Sequence, residues 1–572
     1  MCGIAGIISK NPSETALKSM LKKQAHRGPD HTGIFTDPGF AALGHNRLSI
    51  IDLSPEANQP FYEPSKRYYL TFNGEIYNYK ELKNELKKVW NFRTTSDTEV
   101  LLAAFITWGK KCLHRLNGMF SFAIWDSKEK KLFAARDRFG VKPFYYSSHS
   151  GSFYFASEIK SILTVTQKDA PNIAVWANYF SFGSYGMPDE TFYKDVHQLP
   201  GGSYLEYSEE KITITRWYNF ENRIRKNQVE YNFEEAKETY LHLLKDSIKL
   251  RIRADVPAGF NISGGADSSL LLALVNLYEE NSHINAYTFY TGDGRYDELP
   301  WAREMIAQTQ NPLHEVKLEV NEVASYGSFI AKVQEEPFGG IPTLAYAKIF
   351  SEAKNDGIKV LLDGQGMDEQ WAGYDYYLQK ENTGKTIQGV GERSPFRPEA
   401  LQEHFRAAAK RPVYPEPFGN RLQNLQFRDL FFTKIPRALR FNDRISMIYS
   451  TELREPFLDY RLVEFAFSQP EIYKIKAGVQ KFLLRQILQD LVPANLSYAP
   501  KRALQTPQRE WLGNDLKAWV ESNLNQLKNS SMADWFNYAE IEKEWQKYLA
   551  GDHKSSFHLW QWINAAMLSE IK

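Results

Sequence analysis

The stretch that most constrains this chain is Phe260-Asn261-Ile262-Ser263-Gly264-Gly265-Ala266-Asp267-Ser268-Ser269. It joins a short apolar run, Val256 to Ile262, to an amphipathic one, Leu270 to Tyr278, which predicts a strand, a glycine-rich turn and a helix start. Such a turn can cradle phosphate. The two glycines let backbone approach an anion, the serines offer hydroxyls, and the helix start points unpaired N–H groups and a positive dipole end at the ligand. Asp267 is the odd member, because a carboxylate amid phosphate donors repels the ligand unless a divalent cation sits between them. It reads as a magnesium ligand. An ordinary strand-to-helix turn with an Asp/Ser cap has the same local pattern, so the reading needs support from elsewhere in the chain.

No lysine follows the glycines, so this is not the G-x-x-x-x-G-K-[ST] loop. The segment Ser263-Gly264-Gly265-Ala266-Asp267-Ser268 resembles the pyrophosphate loop, S-G-G-x-D-S, of the N-type ATP pyrophosphatases. That resemblance implies adenylation of a carboxylate with release of pyrophosphate.

At 572 residues the chain has room for two or three domains. A net charge of +1 gives no electrostatic footprint for nucleic acid or an anionic membrane. With Cys2 and Cys112 the only cysteines, a disulfide framework and a cysteine zinc site are excluded, and a reducing, cytoplasmic setting is the expectation. No apolar run is long enough to span a bilayer, and the N-terminus carries no basic leader.

Cys2, followed by glycine, is where methionine removal would expose a thiol beside a free α-amine of pKa near ~8. Nucleophile and base would then come from one residue. A small buried hydrophobe opening a strand is the plainer reading of Cys2 alone. Further along come Ala25-His26-Arg27-Gly28-Pro29-Asp30, a strand through Gly44-His45-Asn46-Arg47-Leu48-Ser49-Ile50-Ile51, the strand end Phe72-Asn73-Gly74-Glu75-Ile76-Tyr77-Asn78, and Ser96-Asp97-Thr98-Glu99 capping a helix from Val100 to Trp108. Together with Met1-Cys2-Gly3-Ile4-Ala5-Gly6 these resemble the class II glutamine amidotransferases, the N-terminal-nucleophile glutaminases.

That resemblance implies that Cys2 attacks the glutamine side-chain amide and that Asn73 and Gly74 hold the oxyanion. Arg47 would clamp the α-carboxylate, Glu75 and Asp97 would receive the α-ammonium, and Leu48 and Ile51 would line the glutamine site. Taken singly, Arg47 also reads as a structural ion pair, Asn73-Gly74 as a hairpin turn and Asp97 as a helix cap. Cys112, beside Leu113 and Leu116, reads as a buried thiol. Arg136 to Pro143 and Phe155 to Lys160 look like the frame of this unit and its contact with a second one.

Around Pro200-Gly201-Gly202, and again in a polar stretch from Asn222 to Asn232, the chain suggests a boundary. We expect a glutaminase domain over 1–205, a connecting segment over 206–232 and a synthetase-type domain over 233–572. The first has the α+β fold of stacked antiparallel sheets that the resemblance implies. In the second, strand-like runs at Ile284 to Tyr290 and Gly357 to Leu362 alternate with helical ones and predict an α/β doubly wound parallel sheet with ligands at the strands' carboxyl ends.

Asp363-Gly364-Gln365-Gly366-Met367-Asp368-Glu369, Asp443-Arg444-Ile445-Ser446-Met447, Glu452 to Asp459 and Lys474 to Lys481 carry the resemblance further, to the glutamine-hydrolysing asparagine synthetases. Nearly the whole chain is covered. It implies ATP with its adenosine against Ile262, Thr291 and Asp363-Gly364 and its phosphates on Ser263, Gly264, Gly265 and Ser268. Magnesium would lie on Asp267 and Asp368, and Lys481 would neutralise departing pyrophosphate; alone, Lys481 also reads as a solvated surface lysine. Gln365, Asp368 and Glu369 would border the acceptor carboxylate, aspartate first among candidates. A homodimer and an internal ammonia passage are also implied, with no nucleic-acid or membrane partner. The polar stretch Gln379 to Glu392 reads as a mobile loop over this site.

The chain departs from that pattern at Gln365, where the family usually has an acidic residue thought to accept a proton from ammonia. It departs also at Asp363 (commonly serine), Glu455 (commonly valine) and Ala503-Leu504 (often Gly-Phe). An amidotransferase acting on another carboxylate, such as a saccharide or natural-product precursor, is therefore a second expectation. A non-catalytic sensor of glutamine or ATP is a third.

Overall fold

The computed structural model describes residues 2–167, 169–226, 229–277, 284–379, 394–497 and 505–570. The first two hundred or so residues build two antiparallel sheets of six strands each. One is centred on the strand Gly3–Ile8, paired with Ala41–Arg47 and Ser152–Ala156. The other is centred on the strand Gly118–Asp126, paired with Tyr68–Ile76 and Lys131–Arg136. Between the sheets, Ile4 and Leu43 meet Ala123, Trp125 and Ala134 in one buried cluster. A helix, Glu14–Lys23, covers the outer face of the first sheet with Leu17, Met20 and Leu21. Strands Ser203–Ser208 and Lys211–Arg216 add to the edge of the second sheet, so this unit continues past residue 205.

A nineteen-residue helix, Phe233–Arg251, opens the second unit with a capping box of Asn232 and Glu235. Five parallel strands follow, lying side by side as Leu313–Lys317, Asn285–Tyr290, Ala258–Asn261, Val360–Leu362 and Glu452–Arg454. In chain order this is 3-2-1-4-5, with the reversal between Ala258–Asn261 and Val360–Leu362. In a doubly wound sheet that is where a crevice opens at the carboxyl ends. The helix Ala266–Asn276 starts there, and its leucines 270, 271, 272 and 274 are fully buried.

Several local expectations need adjusting. The strand expected to run to Ile51 ends at Arg47, because Arg47 turns to satisfy the loop beyond it. The helix expected from Val100 begins at Asp97, with the Ser96 hydroxyl accepting from Thr98 N–H. The strands Leu313–Lys317 and Glu452–Arg454 were not expected. The first is half exposed and the second is three residues long, too short for any periodicity to register. The stretch 380–392 and the residues Ala503-Leu504 lie outside the described residues. Among those described, no helix is long and apolar enough to cross a membrane.

The two units meet through buried charge. Arg27 donates to both carboxylate oxygens of Asp443, at 2.8 and 2.9 Å, and to Glu158 at 3.0 Å. Arg444 donates to the Ser157 carbonyl and to Glu335, and Asp459 accepts from Asn117 and Arg251. The Lys142 ammonium reaches the Leu453 carbonyl. The Asp443-Arg444 and Glu452 to Asp459 segments thus join the second unit to the first, with Glu158 and Lys142 answering from the segments expected to make that contact.

Candidate active site

Two clusters of chemistry-bearing residues are assembled, one in each unit. In the first, Cys2 is buried at the start of the central strand, with its backbone N donating to Asn73 Oδ1 at 3.0 Å and its thiol 3.8 Å from the Leu48 carbonyl. In the chain as written that nitrogen is a peptide N–H; removal of the first residue would turn it into an α-amine. Burial raises the thiol's pKa, so an adjacent base is needed for it to act as a nucleophile at neutral pH.

Asn73 Nδ2 is buried with no hydrogen-bond partner among the described residues. An orphaned donor beside a thiol matches what a developing oxyanion requires. Gly74, at φ +150°, admits no side chain, since a Cβ would stand 2.1 Å from the Met119 carbonyl oxygen. Glu75 and Asp97 supply negative charge nearby. Burial, then Glu452 and Asp97, pushes the Glu75 carboxyl well above its ordinary range, and burial pushes Asp97 up to about 6. Glu75 Oε2 has no hydrogen-bond partner among the described residues and lies 3.9 Å from an Arg454 guanidinium nitrogen of the second unit. Two desolvated carboxylates in one place form a site short of a cation.

Arg47 is buried and donates to the carbonyls of Asp52 and Ser54 and to Asn58 Oδ1. These three acceptors fix the guanidinium and leave two of its five donors. Leu48 and Ile51 are buried in the same cluster.

In the second unit the carboxyl ends of the parallel strands border a cleft of about 240 Å³. Ser263, Gly264, Gly265, Asp267 and Ser268 line one wall, and Asp363, Gly364, Gln365, Asp368 and Glu369 line another. Gly264 has φ +71°, and a Cβ there would be 2.5 Å from Ala302 N, so the helix Leu299–Thr309 packs onto bare backbone. The Ser263 and Ser268 hydroxyls are 3.1 Å apart, and Ser268 Oγ accepts from Ser263 N–H. No side chain caps the helix Ala266–Asn276, which leaves its first N–H groups facing the cleft.

The Lys481 ammonium joins the two walls, 2.7 Å from Asp267 Oδ2 and 2.7 Å from Asp368 Oδ1. Burial alone would lower its pKa; the two carboxylates outweigh burial and raise it. Lys481 is therefore not a solvated surface residue. It sits in left-handed backbone, φ 54°, immediately before the helix Phe482–Leu488. Gly373 makes room for it, because a Cβ there would be 1.9 Å from Asp368 Oδ1 and 2.4 Å from Lys481 Cε. The carboxylates of Asp267 and Asp368 thus converge on one cationic point, an all-oxygen donor pair of the kind a magnesium ion takes.

Not every expected residue belongs to the cleft. Thr291 lies outside its lining: its N–H and hydroxyl both bond Asp297 Oδ1, and it fastens a turn. Ile262 is buried and borders a cavity of about 30 Å³ with Thr288, Phe289 and Tyr296, which adjoins the cleft through the shared walls Asn261, Ser263, Glu298 and Tyr346. Glu369 holds the Tyr374 hydroxyl at 2.6 Å, so it frames the wall as well as facing the cleft. Glu298, Tyr346, Asn442 and Arg485 line the cleft and were not anticipated. Tyr346, Asn442 and Arg485 come from helices whose apolar periodicity gave no hint of a polar duty, and Glu298 precedes the helix Leu299–Thr309.

Comparison with known proteins gives the same division of the chain. Residues 1–218 match a family model described as glutamine amidotransferase domain, and residues 239–571 match one described as asparagine synthase. Asparagine synthetase [glutamine-hydrolyzing] 1 of Bacillus subtilis (strain 168) is 29% identical, over 97% of this chain and 93% of the relative. A putative asparagine synthetase [glutamine-hydrolyzing] 2 of Methanocaldococcus jannaschii is 32% identical over 73% of this chain and 86% of its own length. A Penicillium rubens protein named Amidase chyE is 27% identical over 96% and 95%.

Proposed function

The chain belongs to the glutamine-hydrolysing asparagine synthetase family, whose members use ATP, and on that premise we propose that it converts a carboxylate, aspartate first among candidates, to its amide. The acid's oxygen would attack the α-phosphorus of ATP, releasing pyrophosphate and giving an acyl-adenylate, from which ammonia displaces AMP; the products would be AMP, pyrophosphate, glutamate and the amide. The observation that carries this reading is the Lys481 ammonium gripped by Asp267 and Asp368 beside an uncapped, glycine-bearing helix start. A polyanion can enter there only by taking over cations that the cleft already holds.

The mechanism follows from what each residue can do. At Cys2, the α-amine freed by removal of the first residue takes the thiol proton, and sulfur attacks the glutamine amide carbon; the C–N bond breaks as that proton passes to the departing ammonia, and water hydrolyses the thioester to glutamate. Asn73 Nδ2 and the Gly74 N–H stabilise the oxyanion, a contribution of about 3–4 kcal/mol for a single such donor. Arg47 holds the substrate α-carboxylate, while Glu75 and Asp97 receive its ammonium. In the second unit, Ser263, Gly264, Gly265 and Ser268 bind the phosphates. Asp267 and Asp368 fit a magnesium ion, which when bound would neutralise the polyphosphate. Lys481 then swings from its carboxylates to the departing pyrophosphate. The first unit, with its edge strands to Arg216, and the unit from residue 233 onward would be the two catalytic units of a cytoplasmic, homodimeric enzyme.

One observation favours a second acceptor. Gln365, Asp363 and Glu455 are all at or beside the cleft, and relatives named as amidases share the whole chain length. The test is AMP formation across a panel of carboxylic acids with ATP, magnesium and glutamine. AMP with aspartate supports the primary assignment. AMP only with another acid moves the chain to the second reading, and AMP with none, alongside no glutamate release, leaves a binder.

A further inference from the structure

Three adjacent parallel strands end in one polar row. Phe260 pairs with Leu362 and Leu362 with Arg454, so Asn261, Asp363 and Glu455 follow in the same register. Side chains in register on neighbouring strands, about 4.8 Å apart, share a face. Asn261 Nδ2 donates to Asp363 Oδ1 at 3.1 Å, and Asp363 N–H donates to the Arg454 carbonyl, which locks the row. Two carboxyl groups therefore lie side by side, both buried.

Each keeps an oxygen unused. Asp363 Oδ2 and Glu455 Oε2 are buried with no hydrogen-bond partner among the described residues. The groups facing them are Tyr346 from the helix Ile341–Asn355, Gln365 from the following loop and Lys142 from the first unit. Burial pushes both carboxyls up, and the Asp363 charge raises Glu455 further.

The pair also lies between two cavities. Asp363 lines the nucleotide cleft. Glu455 lines a cavity of about 10 Å³ with Tyr77, Asn117, Gly118 and Met119 of the first unit, roughly the room one water-sized molecule needs. Met119 in turn pairs with Glu75, the neighbour of Gly74 in the glutamine cluster. Glu455 thus borders first-unit residues next to the glutamine cluster on one side and, through Asp363, the nucleotide cleft on the other.

We propose that Asp363 and Glu455 form the nitrogen-receiving site of the synthetase cleft and accept the proton that ammonia sheds as it attacks the activated acid. The inference rests on the acyl-adenylate reading above. In the step, the ammonia nitrogen forms a bond to the acyl carbon, and the bond from that carbon to the AMP oxygen breaks. The nitrogen's surplus proton passes to the unprotonated carboxylate of the pair. The Gln365 side-chain amide has no basic oxygen or nitrogen for that task.

The test uses the full-length enzyme with ammonium chloride in place of glutamine and compares two readouts. Acid-dependent exchange of pyrophosphate into ATP reports adenylation, and amide formation reports the attack. Glu455→Gln is expected to keep exchange within a few fold of wild type while amide formation falls by about 100-fold or more, the ordinary range for a general base. The low-pH limb of the amide-forming rate should disappear with it. Adding Gln365→Glu to Glu455→Gln should restore part of the lost rate, which a merely structural defect would not allow. Amide formation unchanged in Glu455→Gln, with exchange intact, overturns the proposal. Absence of exchange in wild type with every acid tested would instead overturn the adenylation reading beneath it.

Discussion

The two clusters solve opposite electrostatic problems. Around Cys2 the carboxyls of Glu75 and Asp97 are buried without enough positive charge, and their pKa values rise as a result. In the nucleotide cleft, Asp267 and Asp368 share the one Lys481 ammonium, which offsets one of their two charges. The first site is completed by a ligand that brings an ammonium; the second must trade an internal cation for an external one. The difference teaches which residue each ligand has to displace or satisfy, and it can be broken experimentally from either side.

The largest expected effect is on Cys2. Cys2→Ala should bring glutamine-dependent amide formation to background, while ammonium-dependent formation stays within a few fold of wild type, both followed by amide product. Loss of both together would mean that the clusters are not separable. Lys481→Ala comes next: by stranding two carboxylates at the phosphate site it should lower acid-dependent ATP–pyrophosphate exchange by about 1,000-fold, with glutamate release from glutamine retained. Asn73→Ala is expected to cost about 100- to 1,000-fold in glutaminase kcat, the usual price of one oxyanion donor, with a smaller change in KM. Gly373→Ala should depress exchange, since its Cβ would fall on Asp368 Oδ1 and Lys481 Cε, and leave the glutaminase alone.

The smallest and sharpest effect is in pH. Asp97, raised to about 6, must be ionised to hold an α-ammonium, so glutamine affinity is present above that value and is lost as pH falls through it. KM for glutamine should rise up to about tenfold per unit below pH 6, and Asp97→Asn should flatten that rise. The nucleotide cleft, whose carboxylates are paired with Lys481, should show no matching change in KM for ATP over the same range.

Much of this was legible in the sequence because both sites are built around local motifs. Cys2-Gly3, Asn73-Gly74-Glu75 and Ser263 to Ser269 each hold their chemistry within a few residues, and strand and helix periodicity placed them. What was not legible depends on register between distant segments. The row Asn261, Asp363 and Glu455 spans almost two hundred residues and exists only because three short strands align. The interface role of Asp443 and Arg444 needs Arg27 and Glu158 from the other unit. The Asp297 turn that Thr291 fastens was not legible, because a threonine after a strand suits a ligand and such a turn equally well. Arg47 could be assigned a neighbourhood but not the carbonyls of Asp52 and Ser54 that fix it.

The account's central claim is that nitrogen freed at Cys2 is transferred to an acid activated as its adenylate. Phosphorus NMR of the nucleotide products, with ATP, magnesium, glutamine and the best acceptor acid, tests it most directly. The account predicts AMP and pyrophosphate in equal amounts, matched by amide formed, with amide lost in Cys2→Ala until ammonium is supplied. ADP and inorganic phosphate as the products, or amide formation from glutamine that survives Cys2→Ala, would contradict it.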